Sequence, residues 1–220
     1  MKLVRAGFEV LENIDGMALL KSVESAGRTC YKSEDKITDN SALEFAQKIL
    51  RRGHESVIEH EKISVRIVCD RGVSHEIVRH RIASYSQEST RYCDYGGDDV
   101  TFIIPCWCVD LTPCCEVTSP EIYNGPNEGS FRWLCAMVDA EHAYKRLRDL
   151  GWKPEQARSV LPNSLKTEIV VTMNLREWRH FFKLRTAKAA HPQMREISVP
   201  MLAQFKALVP IIFDDINAEA

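Results

Sequence analysis

The sequence predicts an α+β fold: one domain over residues 1–220, with a mixed or antiparallel sheet flanked by helices. Three observations carry this. Residues 62–69 and 165–174 alternate apolar and polar side chains with the period of a half-buried strand. Helical patterns lie around them without the strand–helix–strand rhythm of a doubly wound sheet. No G-x-G-x-x-G follows a strand and no G-K-[ST] loop occurs, so any nucleotide is held by another route.

Each element has its own signal. Residues 1–11 read as an opening strand. Asp15 suits the cap of a helix over Met17, Leu20 and Val23. Ser41 and Glu44 form a capping-box pattern, and the helix they open ends at Gly53. In the strand 62–69, Ile63, Val65, Ile67 and Cys69 share one face, and a helix carrying Val73 and Ile77 follows. Residues 101–130 read as a loop-rich insertion, broken at Pro105, Pro113, Pro120, Gly125, Pro126 and Gly129. An amphipathic helix is expected over 131–150, ending at Gly151, and a short one from Pro154 that stops before Pro162. The strand 165–174 places Thr167, Ile169, Val171 and Met173 on one face. One further helix starts after Asn174, and a last one covers 193–208 with a kink at Pro200.

Composition narrows the function. With 220 residues, 45% hydrophobic and 27% charged, the chain has the make-up of a soluble globular domain. A net charge of −2 gives no global field for nucleic acid, so none is expected as a partner. No segment reads as a membrane span or a secretion signal, so the cytoplasm is the expected compartment and the eight cysteines should be reduced. Cys106-Trp107-Cys108 and Cys114-Cys115 have poor spacing for a tetrahedral zinc site, and unpaired thiols in a surface insertion are expected there, with no metal.

The richest stretch is RHRIASYSQESTRY, residues 79–92. On a straight helix Arg79 and Arg81 would lie about 200° apart. Either the helix ends there, or the two arginines serve two anionic groups. The tail has no glycine or proline, unlike a flexible linker, and Ser84, Ser86, Gln87, Ser89 and Thr90 are all hydrogen-bonding groups. Arg91 adds a fork suited to a phosphate or a uracil-like edge.

Two other constellations stand out. Residues 53–60 (GHESVIEH) hold two histidines and two carboxylates, but His54 and His60 are six apart, the wrong spacing for a zinc helix, so a polar turn is the plain alternative. Asn174 to Glu177 looks like an asparagine-led capping box opening a helix with the stripe Leu175, Trp178 and Phe182. Arg185 falls on that stripe, where a guanidinium needs either a buried ion pair or a bound anion. Arg158 sits among apolar neighbours, with an ordinary surface arginine as its alternative.

These blocks together resemble the flavin-dependent thymidylate synthases. The likeness rests on Arg79-His80-Arg81 followed seven residues later by Ser89, on Gly53 to His60, on Arg158 to Pro162, and on Asn174 and Arg176 followed by Leu184 and Arg185. It implies a homotetramer with active sites shared between subunits. It also implies FAD as cofactor, dUMP as acceptor, methylenetetrahydrofolate as one-carbon donor and NADPH as reductant. By the same likeness FAD would meet His54, Ser56, Glu59, Arg79, His80, Arg81, Gln87, Asn174, Arg176 and His180. The dUMP would meet Arg79, Gln87, Glu88, Ser89, Thr90, Arg91, Arg158 and Arg185, with Glu76 standing where the family often has a contacting glutamine. Arg185 would stabilise charge at the uracil N3–O4 edge, and Ser89 would bind or polarise dUMP. Cys30 stands where serine is frequent near the flavin, His180 where asparagine is common, and Ala189 where the family often has a histidine, with His191 two residues on.

Overall fold

A computed structural model of the protein describes residues 1–114 and 116–218. The opening segment is two strands, β1 (Lys2–Val4) and β2 (Gly7–Val10), rather than one. Between them Arg5 donates to the carbonyls of Pro105, Cys108 and Leu111 at 3.1, 3.0 and 2.8 Å. The strand is interrupted there because the chain changes sheets.

Asp15 caps α1 (Gly16–Thr29), accepting from the N–H groups of Met17 and Ala18 at 3.0 Å each. The capping box expected for α2 (Ser41–Arg51) is not formed, because the Ser41 hydroxyl donates to Glu24 at 2.7 Å and Asn40 takes the cap position. Gly53 ends this segment at φ 68°, the left-handed conformation that glycine adopts without steric penalty. A 3-10 turn over Glu55–His60 leads into β3 (Lys62–Asp70), whose Ile63, Val65, Ile67 and Cys69 are all buried.

Asp70 accepts from Val73 N–H at 2.8 Å and opens α3 (Arg71–Ile77). The polar tail beyond it contains a strand, β4 (Ala83–Gln87), where sequence reading gave none. Its serines lie at the end of a four-stranded sheet ordered β2-β3-β6-β4, in which β6 is Lys166–Asn174, and polar residues are the usual dress of an edge strand. β5 (Thr101–Ile103) pairs in parallel with β1, Leu3 facing Phe102. Asn127 caps α4 (Glu128–Asp149), which therefore starts three residues before the expected position. After α5 (Pro154–Ala157) come β6 (Lys166–Asn174), α6 (Leu175–Arg185) and α7 (Pro192–Leu208), the last with Pro200 inside it.

The chain forms two compact units, and β3, β4 and β6 each pass from one to the other. One unit comprises residues 1–7, 67–78 and 86–169. Its core joins Phe102, Ile104, Leu134, Val138, Tyr144 and Leu165. Cys108 belongs to that core at 4% exposure, which corrects the surface placement expected for the cysteines of this segment. The described cysteines carry no disulfide; Cys115 lies outside the described residues.

The other unit comprises residues 8–66, 79–85 and 170–220. It is built on an aromatic cluster of Trp178, Phe181, Phe182, Phe205 and Phe213, with ring centroids 5.0–5.7 Å apart. The Trp178 indole N–H donates to Ile63 O at 3.0 Å, so a buried polar tip is satisfied. Gly27 of α1 lets α2 approach closely: a Cβ there would sit 2.4 Å from the Phe45 ring.

Candidate active site

The Arg-His-Arg stretch leaves its helix. α3 stops at Ile77 with Val78 as its C-cap, which settles the alternative left open by the helical wheel. His80 is buried at 4% exposure, while Arg79 and Arg81 on either side of it are exposed. Neither arginine makes an ion pair or side-chain hydrogen bond with any described residue.

Within the unit that holds His80, α6 supplies the groups around its ring. Asn174 accepts from Glu177 N–H at 2.8 Å, so the asparagine half of the expected box is present. The return half is not, because the Glu177 carboxylate lies 3.1 Å from His80 Nδ1 instead. Arg185 Nε donates to His80 Nε2 at 3.1 Å. These bonds assign the tautomer: the proton sits on Nδ1, facing the carboxylate, and Nε2 accepts. Phe181 and His180 pack against the ring at 5.0 and 5.6 Å. Burial holds the His80 pKa below the usual imidazole value, the bond to Glu177 opposing that shift and the Arg185 charge adding to it. Arg185 is therefore half-buried, as its place on the stripe implied, and a neutral imidazole holds its Nε.

Beside this group lies a cavity of about 470 Å³, lined by Glu59, Ile82, Asn174, Arg176 and His180 among others. Arg176 pairs with Glu59, and Arg179, at 2% exposure, is enclosed by Glu55, Asp215 and Ile212 O. Four expected flavin contacts thus share one cavity. Its size falls in the range of small-molecule sites, and its lining offers guanidinium, amide, imidazole and carboxylate groups. His54 and Ser56 are exposed and line a second cavity, of about 580 Å³, together with Cys30.

Of the residues expected to hold dUMP, Arg79 and Arg185 lie in the same unit as His80, while Glu76, Gln87, Glu88, Ser89, Thr90, Arg91 and Arg158 lie in the other unit. Thr90 is buried and accepts from Arg158 Nη1 at 3.0 Å, which fixes that guanidinium. Ser89 Oγ accepts from Arg91 N–H at 3.4 Å, and the Ser89 carbonyl closes a turn with Tyr92 and Cys93 N–H groups. Arg91 is exposed, 3.8 Å from Glu155 and stacked over Tyr92. Among the described residues no histidine or carboxylate bonds the Ser89 hydroxyl, so nothing there serves as the base a nucleophile requires. Gln87 donates to Ser74 at 2.9 Å and Thr167 at 3.2 Å, and Glu88 accepts from Tyr95 at 2.7 Å and from Lys166 at 3.3 Å, so both have partners inside the protein. Glu76, at the end of α3, is half-buried.

Sequence reasoning missed Glu177, Glu55 and Arg179. The signal for Glu177 was present: it stands four residues before Phe181 and eight before Arg185, a carboxylate on an apolar helix face that needs a partner. His54 and His60 belong to no metal-ligating group among the described residues. The group that does form, His80, Glu177 and His180, has both His80 nitrogens engaged by protein.

The family model described as thymidylate synthase complementing protein matches residues 14–211. A flavin-dependent thymidylate synthase of Geobacter sulfurreducens is 38% identical over 201 residues, covering 88% of this chain and 80% of that protein. One from Pyrococcus furiosus is 36% identical over 197 residues, covering 88% and 73%. Among solved structures, a UMP/dUMP methylase, PolB, from Streptomyces cacaoi shares the fold with a TM-score of 0.76 at 22% identity, covering 97% of this chain and 96% of that one. With a family match along most of its length and relatives above one-third identity, this chain belongs to the flavin-dependent thymidylate synthases.

Proposed function

We propose that this protein converts dUMP to dTMP by reductive methylation through FAD. Methylenetetrahydrofolate is the one-carbon donor and NADPH the reductant. The observation that carries the reading is the pair of exposed, unpartnered guanidinium groups, Arg79 and Arg81, flanking a buried neutral His80 in the unit that also holds the cavity of about 470 Å³. Unpaired cations held beside a fixed imidazole suit anionic ligands, and a flavin dinucleotide and a nucleoside monophosphate both carry phosphate.

FAD, when bound, would supply the hydride chemistry with NADPH. Asn174, Arg176, His180 and Glu59 would hold it, together with Arg79, His80, Arg81, His54 and Ser56, and Gln87 is the remaining expected contact. For dUMP, Arg158, preset by Thr90, and Arg91 suit the phosphate, and Arg79 is the further cation expected to meet it in an active site shared between subunits. Ser89 and Thr90 offer hydrogen bonds, and Gln87, Glu88 and Glu76 shape the surrounding wall. Arg185 stabilises the charge that develops at the uracil N3–O4 edge, which makes C5 electron-rich for methylation. His80 contributes by aiming that guanidinium while staying neutral, so that it adds no competing charge. The assembly is a homotetramer with shared active sites, working in the cytoplasm. No helix among the described residues is long and apolar enough to cross a membrane.

The test is direct. Purified protein should show flavin absorbance that shifts when dUMP is added, and it should release tritium from C5-labelled dUMP when given the folate donor and NADPH. A colourless protein that releases no tritium after added FAD defeats the proposal.

A further inference from the structure

The 580 Å³ cavity holds more positive charge than a flavin edge calls for. Its walls come from α1, α2 and the 3-10 turns next to them, all in one unit. Phe45, Ile49, Val57 and Tyr31 make the apolar part, and His54 and Ser56 stand at one side. Arg28 is already satisfied: it pairs with buried Glu24 at 2.7 Å and lies over the Phe45 ring. Lys36, Lys48 and Arg52 are different. All three line the cavity, all are exposed, and none makes an ion pair or side-chain hydrogen bond with any described residue. Glu44 is the carboxylate that lines the same space, and it leaves the balance positive.

The placement of these cations selects among anions. Lys48 and Arg52 are one turn apart at the C-terminal end of α2, and Arg28 and Cys30 close the end of α1. A buried pyrophosphate favours the N–H groups of a helix N-terminus, whereas helix C-termini present carbonyls that repel it. Long, solvated side chains spread along a rim suit carboxylates spaced along a flexible chain. The apolar wall beside His54 suits an aromatic ring from which such a chain extends.

We infer that Lys36, Lys48 and Arg52 form a subsite for the oligo-γ-glutamate tail of the folate donor, with the neighbouring apolar wall taking its aryl group. This rests on the reading that a folate is the donor. It adds that the protein distinguishes folates by the number of glutamates they carry.

Monoglutamate and pentaglutamate forms of methylenetetrahydrofolate should be compared in the parent protein, in Lys36→Gln, and in the Lys48→Gln, Arg52→Gln double variant. The parent KM should be about fivefold lower for the pentaglutamate, the sum of two or three exposed ion pairs. That ratio should fall to within about twofold in the double variant, with flavin absorbance per protein unchanged. Calorimetric titration with folate pentaglutamate and monoglutamate reads the same preference without turnover, and added salt should erase it. Equal affinity for the two forms in the parent, or a preference that survives the substitutions, overturns the inference. Loss of flavin from the double variant overturns it too, by giving the cavity to the dinucleotide. A protein that prefers the pentaglutamate in calorimetry yet makes no thymidylate keeps the tail subsite and defeats the proposed reaction instead. All three positions are exposed, so the substitutions leave the core intact; Lys36→Gln, in a surface 3-10 turn, gives the single-site check.

Discussion

Glu177 is the side chain whose removal should reveal how Arg185 is aimed. It is 9% exposed and lies 3.1 Å from His80 Nδ1, while His80 Nε2 accepts from Arg185. Glu177→Leu takes away the acceptor and leaves a buried N–H unsatisfied. A buried hydrogen bond to a charged group is worth about 1.5–3 kcal/mol, so a loss of about 2 kcal/mol is expected. For a chain of this length that lowers Tm by about 4–8 °C. The proton is then free to move to Nε2, where it meets the Arg185 Nε–H, donor against donor, and the guanidinium must shift. A displacement of that kind costs on the order of 10²-fold in kcat. Glu177→Gln keeps an acceptor for Nδ1–H and should lose under about 10-fold. The pH profile separates the two roles of the carboxylate. Glu177 raises the His80 pKa against burial, so Glu177→Gln should carry the acid limb of the profile to lower pH. Stability has the matching sign. A base whose folded pKa lies below its unfolded value of about 6.5 binds its proton more readily when unfolded. The contribution of His80 is therefore complete above about pH 6.5 and declines as the medium is acidified. Urea melts and tritium-release assays between pH 5 and 8, these limits chosen to bracket about 6.5, measure both effects. Parent-like kcat in Glu177→Leu, or identical losses in the leucine and glutamine variants, would refute the reasoning.

Two further perturbations probe the other unit. Ser89→Ala should raise KM for dUMP several-fold with no change in covalent chemistry, since no base bonds the hydroxyl; mass spectrometry that finds a Ser89–uracil adduct in the parent protein would reverse this. Arg5→Met should speed amide hydrogen exchange over residues 105–111, because three carbonyls lose the guanidinium that gathers them, at a cost of about 2 kcal/mol or more. Unchanged exchange there would mean the segment holds its shape without Arg5.

How much was legible in the sequence follows from where the signals were local. The faces of β3 and β6 could be read because alternation over nine residues is a property of the segment itself. The Asp15 and Asn174 caps were legible for the same reason. β4 was not: its ASYSQ carries serines at an edge, and what makes it a strand is the neighbouring β6, a partner far away in the chain. Ser41 failed as a cap through a long-range competitor, Glu24, seventeen residues earlier. In the candidate site the arginines and serines could be named from spacing, but their aim could not. That depends on Glu177 meeting His80 across 97 positions and Arg185 meeting it across 105.

Pairing, rather than net charge, locates where this protein can hold an anion. The sum over the chain is −2, which by itself predicts nothing about a phosphate or a polycarboxylate. Arg28, Arg179 and Lys166 are cations already neutralised inside the fold by Glu24, by Glu55 with Asp215, and by Glu88 with Glu168. Arg79, Arg81, Lys36, Lys48 and Arg52 have no such acids, and they fall into two groups in one unit: the arginines flanking His80, and the rim of the α1–α2 cavity. An unpaired surface cation is cheap in water, so stability alone explains neither group. What distinguishes them is that each adjoins a feature that selects its ligand. A buried neutral imidazole, fixed by Glu177, stands between the two arginines of the first group. Apolar walls adjoin the second, whose cations are spread along an exposed rim. A compact phosphoryl group suits guanidinium forks set close together, and carboxylates spaced along a flexible chain suit cations spread along a rim.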